Sequence, residues 1–242
     1  MTQTALLTVV HDPNGMNIEL FKKVKKDIED IYGELFITIS NETASKFVKE
    51  IERSRFNVKI IPKQGAAHAR REVVSFGLTG KSDYYHYCDF DRLLTWGQNH
   101  LDELKTIVSD IPNHDYLILG RTERARNTHP LEWIETEKIT NKIFSIEFGQ
   151  TVDITAGSCS FSKQSAEIIN KYSKEKMTDA EWAMIISRMA KLRVDYSAVE
   201  GLEYHEDTNG ITRNRSESER WLDRLQLSLL ISETAYRTGK KI

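Results

Sequence analysis

Asp83-Tyr84-Tyr85-His86-Tyr87-Cys88-Asp89-Phe90-Asp91 is an aromatic and apolar run that ends on two aspartates one residue apart. The run has the length and composition of a buried strand over residues 84–88. In an extended backbone, side chains two residues apart share a side, so this reading sets the Asp89 and Asp91 carboxylates next to each other. Two like charges held together invite a cation. At a strand end the natural cation is a hard divalent ion, Mn2+ or Mg2+, bridging carboxylate and phosphate oxygens. An Asp-x-Asp triplet is short, and a solvated acidic turn has the same spelling, so its neighbours decide its weight.

Upstream, residues 5–10 form an aliphatic run closed by Asp12-Pro13-Asn14-Gly15, a strand followed by a turn. Ile18, Phe21, Val24, Ile28 and Ile31 then recur at helical spacing. The pattern repeats with a strand at 35–39, a helix at 44–53, a strand at 58–61 and a helix at 66–77. Short apolar strands alternating with amphipathic helices predict a mainly parallel central sheet flanked by helices, a Rossmann-like α/β fold. Ligands of such sheets bind beyond the carboxyl ends of the strands, where Asp89 and Asp91 fall. Downstream, the spacing predicts helices at 96–108, 130–148, 165–172 and 178–192, and strands at 116–119, within 152–161 and at 194–199. A closing helix at 216–236 carries Trp221, Leu222, Leu225, Leu229 and Leu230 on one face. Without a repeat or a Pro-, Gly- or Ser-rich linker, the chain reads as a single domain over 1–242. Residues 1–91 form a nucleotide-binding half, 92–215 an acceptor-side half and 216–242 a C-terminal helix.

The 242 residues are long enough for a hydrophobic core without staples. A formal charge of -2 offers no bulk positive field for a polyanion, so nucleic acid is not an expected partner. Cys88 and Cys159 lie far apart in apolar stretches without metal-type spacing, which suits buried thiols in a reducing compartment. The first ten residues lack a basic lead, and the apolar runs stop short of the roughly 20 residues of a membrane span. A cytoplasmic, soluble protein is expected.

Gln64-Gly65-Ala66-Ala67-His68-Ala69-Arg70-Arg71 opens a helix about twenty residues before the aromatic strand that ends in Asp89-Phe90-Asp91. This order resembles the glycosyltransferase-A (GT-A) fold, especially its large family-two-like group of nucleotide-sugar glycosyltransferases. The resemblance covers the front half and implies that Asp91, assisted by Asp89, holds Mn2+ or Mg2+ on the diphosphate of a nucleotide-sugar donor. It sets Arg70 near the nucleotide, with Arg71 where the family has Asn. It also places the strand-end loops carrying Asp12 and Asn41, with Glu42, around the base and ribose. In the back half, residues 153–162 are similar to the family's acceptor-side strand, and Thr178-Asp179-Ala180-Glu181 to the start of its acidic acceptor helix. In inverting members an acid there deprotonates the acceptor hydroxyl. Asp179 and Glu181 both remain candidates: a Thr178–Glu181 capping box would occupy Glu181, whereas the distance from Arg188 favours it. In a retaining enzyme neither is the base. By order after the two aspartates, His205 falls where such enzymes place a third metal ligand or a phosphate contact; a solvated histidine is the alternative.

Gly120-Arg121-Thr122-Glu123-Arg124-Ala125-Arg126 gathers three guanidinium groups after a strand. It is either a clamp for phosphate or carboxylate, with Arg121 foremost, or a solvated loop. Trp133 and Glu137 share a helix face that suits a sugar, or Trp133 packs in the core. The closing helix and its basic tail have three fates: packing on the domain, forming a homodimer, or resting on a membrane surface near a lipid-linked acceptor. A small-molecule or sugar acceptor is the alternative to a lipid-linked one. Two rival functions share the fold. A sugar nucleotidyltransferase would want a Gly-rich, basic first loop, which His11-Asp12-Pro13-Asn14-Gly15 is not. The other rival is a non-catalytic nucleotide- or glycan-binding module.

Overall fold

In the computed structural model, which describes residues 4–209 and 215–240, every strand and helix expected of the front half is present. These are β1 (Thr4–Val10), α1 (Ile18–Ile31), β2 (Glu34–Ser40), α2 (Ser45–Glu52), β3 (Asn57–Ile61), α3 (Ala66–Gly77) and β4 (Tyr84–Cys88). The five residues at helical spacing, Ile18, Phe21, Val24, Ile28 and Ile31, are the buried face of α1. The chain continues through α4 (Phe90–Asn99), α5 (Leu101–Asp110), a 3-10 turn (Ile111–Asn113), β5 (Tyr116–Arg121) and α6 (Glu123–Arg126). Then follow α7 (Leu131–Phe148), β6 (Ser158–Ser162), α8 (Lys163–Tyr172) and α9 (Thr178–Met184), which passes into a π-helical turn (Ile185–Ala190). The last elements are β7 (Val194–Val199), α10 (Glu206–Asn209) and α11 (Glu217–Arg237).

The strands form one seven-stranded sheet in the order β3-β2-β1-β4-β6-β5-β7. All neighbours are parallel except β6, which runs antiparallel to β4 and β5. Because β6 runs backwards, its first residue, Ser158, pairs with the last residue of β4, Cys88, and the loop leading into β6 borders Asp89. Two cores cover the two faces, one built on Leu6, Phe21, Phe47, Phe90 and Trp96, the other on Leu7, Tyr85, Phe161 and Trp182. Cys88 belongs to the first and Cys159 to the second, and both are free thiols.

Two expectations are corrected. The chain does not stay extended through Asp91, nor wait until Trp96 to become helical. Asp89 takes the N-cap backbone (φ -58°, ψ 136°) and α4 starts at Phe90, with Asp91 in its first turn. Phe90 drives this: it is 2% exposed and packs against Phe21 and Phe47, while the positive end of the helix dipole favours a carboxylate in the first turn. The closing helix does pack on the domain, but not through its leucine stripe. α11 lies on α7 and α9 with Ser228, Ile231, Ser232, Thr234 and Ala235 buried, and Leu222, Leu225, Leu229 and Leu230 are exposed. Small side chains allow that close approach, and the Ser228 hydroxyl bonds Thr140 Oγ1 at 2.6 Å and the Thr136 carbonyl at 3.1 Å. Among the described residues no helix is long and apolar enough to cross a membrane.

Candidate active site

A cavity of about 620 Å³ opens beyond the carboxyl end of β4, with Asp89, Asp91, Arg70, Gly157 and Asp179 in its wall. Two smaller cavities, about 440 and 240 Å³, continue along the ends of β1, β2 and β3, and Asp91 also borders the larger of these. A cavity of about 780 Å³ behind α7 is bigger still, with Arg121 and Asp153 in its wall. The 620 Å³ cavity is the candidate because it alone of the four collects both aspartates of the Asp-x-Asp together with the acidic residue of α9. Asp89 and Asp91 thus face one cavity as expected, though through a helix start and not through an extended strand.

Arg70, on α3, organises the wall. Its Nη2 donates to both Asp89 oxygens at 3.0 and 2.8 Å, its Nη1 to Asp179 Oδ2 at 2.5 Å and Thr178 Oγ1 at 3.0 Å, and its Nε to Tyr87 Oη at 2.8 Å. The Tyr87 hydroxyl in turn donates to Asp89 Oδ1. Burial works against the Arg70 charge, but Asp179 and Asp89 outweigh it and hold the proton more firmly than in an ordinary arginine. With every side of the fork used by protein groups, Arg70 joins a strand-end aspartate to α9 across 90 residues of sequence. Gly157 supports the same corner: at φ +76°, any Cβ there would sit 2.6 Å from Asp89 Oδ2.

Asp91 Oδ2 accepts from Asn209 Nδ2 at 2.6 Å. Asn209, on α10, is 2% exposed, and its Oδ1 also accepts from Arg92 Nη1 and the His205 backbone N–H. Here the sequence reading is corrected: the segment after β7 reaches Asp91 through Asn209, while the His205 ring binds Glu203 Oε1 and Asn99 Nδ2, both at 3.1 Å. No cluster of three or more His, Cys, Asp or Glu able to hold a metal occurs among the described residues.

Four other candidates are engaged by protein groups, and one of them, Asp12, also borders the 440 Å³ cavity. Glu181 is 1% exposed, and its carboxylate accepts from the Lys174 and Glu175 backbone N–H groups at 2.6 and 2.8 Å and from Ser173 Oγ at 2.5 Å. The capping box does not form, since Thr178 is turned to Arg70, yet Glu181 is occupied all the same. Asp12 folds its own loop, accepting from Met16 N at 3.0 Å and Asn17 N at 2.9 Å. Asn41 ties two loops by accepting from the Lys63 N–H at 3.2 Å. Arg121 is neither a clamp nor a solvated loop: its side chain is 1% exposed and bonds Asp153 at 2.7 and 2.9 Å and Glu137 at 2.7 Å. Trp133 and Glu137 do border the cavity, as the sugar-face reading wanted, although Glu137 is held by Arg121 and Arg224. Asn209, Arg92, Arg224 and Tyr87 were missed; their only signal in the sequence is a polar residue inside an otherwise buried pattern.

A scan against protein-family models finds no match, and a search of curated proteins finds no relative by sequence. Solved structures are similar throughout. Glucosyl-3-phosphoglycerate synthase from Mycobacterium tuberculosis, in complex with Mn2+, UDP and glucosyl-3-phosphoglycerate, aligns over 95% of this chain and 79% of its own, with a TM-score of 0.61 and 13% identity. A mannosyltransferase from Pyrobaculum calidifontis with GDP-Man and Mn2+ aligns over 99% and 66%, at 0.59 and 12%. 4-Diphosphocytidyl-2C-methyl-D-erythritol synthase from Anaerococcus prevotii aligns over 93% and 97%, at 0.51 and 9%. The chain has the GT-A fold. One of these neighbours is a nucleotidyltransferase, so the fold by itself does not choose the reaction.

Proposed function

We propose that the protein is a glycosyltransferase that moves a sugar from a nucleoside-diphosphate sugar to a hydroxyl acceptor with the help of Mn2+ or Mg2+. The observation that carries this reading is the shared cavity wall: Asp89 and Asp91 at the end of β4, and Asp179 linked to them through Arg70. Residues 1–91 serve the donor and 92–215 the acceptor in this reading. The Mn2+ and nucleotide complexes of the structural neighbours agree with it. So does the loop after β1, which has a single glycine and no basic side chain for the triphosphate of a nucleotidyltransferase.

The aspartates fit a hard divalent ion. Both are oxygen donors on the cavity, Asp91 Oδ1 has no hydrogen-bond partner among the described residues, and Mn2+ or Mg2+ commonly binds through one or two carboxylates, with phosphate and water completing the shell. A bound ion would supply positive charge where the leaving diphosphate gains negative charge. The rest falls to the chain. Arg70 fixes Asp89 with a two-pronged bond, Asn209 fixes Asp91, and Gly157 leaves the space that lets the Asp89 carboxylate stand where it does. Asp179, which faces the cavity where Glu181 does not, is the carboxylate available to take the acceptor's proton.

The test is to incubate the protein with a panel of nucleotide sugars and Mn2+, following release of nucleoside diphosphate. Asp91→Ala should lower transfer by at least about two orders of magnitude, the scale of losing one electrostatic stabiliser, with the melting temperature nearly unchanged. Near wild-type turnover in that variant, or donor binding without any diphosphate release by the native protein, would overturn the reading.

A further inference from the structure

Two guanidinium groups share one indole ring in the candidate cavity. Arg224 Cζ, from α11, lies 3.9 Å from the Trp133 ring centroid, and Arg92 Cζ, from α4, lies 6.0 Å from it. Tyr204 packs edge-on to Trp133 at 5.7 Å and sits 5.6 Å from Arg92 Cζ. Arg92 is 8% exposed and has no ion-pair partner among the described residues; its hydrogen bonds go to neutral oxygens, the Glu203 carbonyl at 2.9 Å and Asn209 Oδ1 at 3.3 Å. Arg224 has one carboxylate, Glu137, and must share it with Arg121; its Nε is buried without a partner. Burial weakens the hold of Arg224 on its proton, and the neighbouring Arg121 and Arg92 charges weaken it further. Two under-compensated cations in the wall of one cavity form a receptor for an anion.

We infer that Arg92 and Arg224, braced on Trp133, bind the phosphate group of a phosphomonoester acceptor. The inference rests on the donor-transfer reading above and names its acceptor class. Phosphate is favoured over carboxylate because two guanidinium groups border one cavity, and a tetrahedral dianion offers three terminal oxygens where a carboxylate offers two. An acceptor is favoured over the donor's own diphosphate by position. Asp91 borders both the main cavity and the one at the end of β1, whereas Arg92 and Arg224 border only the main cavity, which Asp179 also borders. The ribose and base side of the site thus lies beyond Asp91 from the arginines. A hydroxyl on the phosphorylated molecule would then face Asp179 and the sugar, with the phosphate itself left unreacted.

The experiment is isothermal titration of the full chain, loaded with Mn2+ and UDP or GDP, using glycerol 3-phosphate as probe and glycerol and glycerate as controls. Glycerol 3-phosphate should bind at least about tenfold more tightly than either control, the difference one charge-assisted bond supplies. Arg224→Gln should weaken it by a further factor of about ten, Arg224→Lys by less, and neither should change UDP or GDP affinity by more than about twofold. Arg92→Gln should act like Arg224→Gln; should that buried variant fail to fold, the Arg224 pair carries the test. Equal binding of glycerol and glycerol 3-phosphate, or tighter binding of glycerate, overturns the inference. So does an Arg224→Gln variant that binds the probe normally, or one that loses nucleotide as strongly as probe, which would make Arg224 a donor contact. Failure of both nucleotides to bind with Mn2+ defeats the donor reading instead, and the same titrations on the unloaded chain then decide the phosphate site separately.

Discussion

Two arginines in this molecule are each gripped by two carboxylates, and they do different things. Arg121, at the end of β5, is held by Asp153 and Glu137, with side chains 1%, 7% and 5% exposed. Arg70, on α3, is held by Asp89 and Asp179, with 11%, 29% and 16% exposed. The chemistry of the pairs is the same; the difference is how far their carboxylates are exposed. Arg121 is buried against α7, at the wall of the larger cavity, and stitches a strand to a helix, so losing it leaves the buried Asp153 without its ion pair and Glu137 with Arg224 alone. Arg70 stands at the wall of a cavity, so its carboxylates remain able to meet a ligand. An ion cluster therefore has to be judged by its access to space, not by its composition.

The contrast is broken or sharpened first by Arg121→Ala. Leaving Asp153 without its cation, and Glu137 with Arg224 alone, should cost about 3–5 kcal/mol of stability, a large share of the roughly 5–15 kcal/mol of a typical fold, read as a fall in the urea midpoint. The Asp153 carboxylate, for which burial is unfavourable but the Arg121 charge more than compensates, has its pKa held well below 3.8. Its contribution is thus present above pH 3.8 and is lost as the solution is made more acidic than that. Arg70→Lys should show the opposite balance: a single ammonium cannot span Asp89, Asp179 and Tyr87, so transfer should fall about a hundredfold while the loss of stability stays below that of Arg121→Ala. Equal loss of stability in the two variants would erase the distinction. Glu181→Gln should cost about 1–2 kcal/mol through the bonds to Ser173, Lys174 and Glu175, yet leave transfer per folded molecule within about threefold, whereas Asp179→Asn should abolish most of it.

The last effect is one of pH. His86 lies under the site between Tyr32 Oη at 2.6 Å and Ser158 Oγ at 3.0 Å, and burial depresses its pKa to about 3. The unfolded chain takes up that proton near pH 6.5 and the folded chain does not, so stability falls as pH drops below 6.5, by about 1.4 kcal/mol per unit from this residue. In His86→Gln the dependence of the urea midpoint between pH 6.5 and 5 should be shallower by one proton. An unchanged slope would mean that His86 is protonated in the folded state.

Much of this was legible in the chain. The alternation of short aliphatic strands with helices at 3.6-residue spacing gives β1 to β4 and their order of appearance, because buried parallel strands and one-sided helices leave unmistakable periodicities. Asp-x-Asp at the end of an aromatic strand marks the loop that borders the 620 Å³ cavity. The same periodicity arguments were weaker after Phe90. A phenylalanine packed between Phe21 and Phe47 turns the expected extension into a helix start, and close packing of Ser228 on Thr140 turns the leucine stripe of α11 outward. Neither is visible in local sequence, since each depends on partners tens of residues away.

The same limit governs the site. His205, Arg121 and Glu181 have the right residue types at plausible places, and all three are engaged elsewhere. Asn209, Arg92 and Arg224 carry no motif, yet they stand in the wall. What the order of residues determined was the layered sheet and the edge at which chemistry belongs, because periodicity and strand ends are properties of neighbours along the chain. Which charges reach that edge was decided only by the folded arrangement, because desolvation and partnership depend on distance through space.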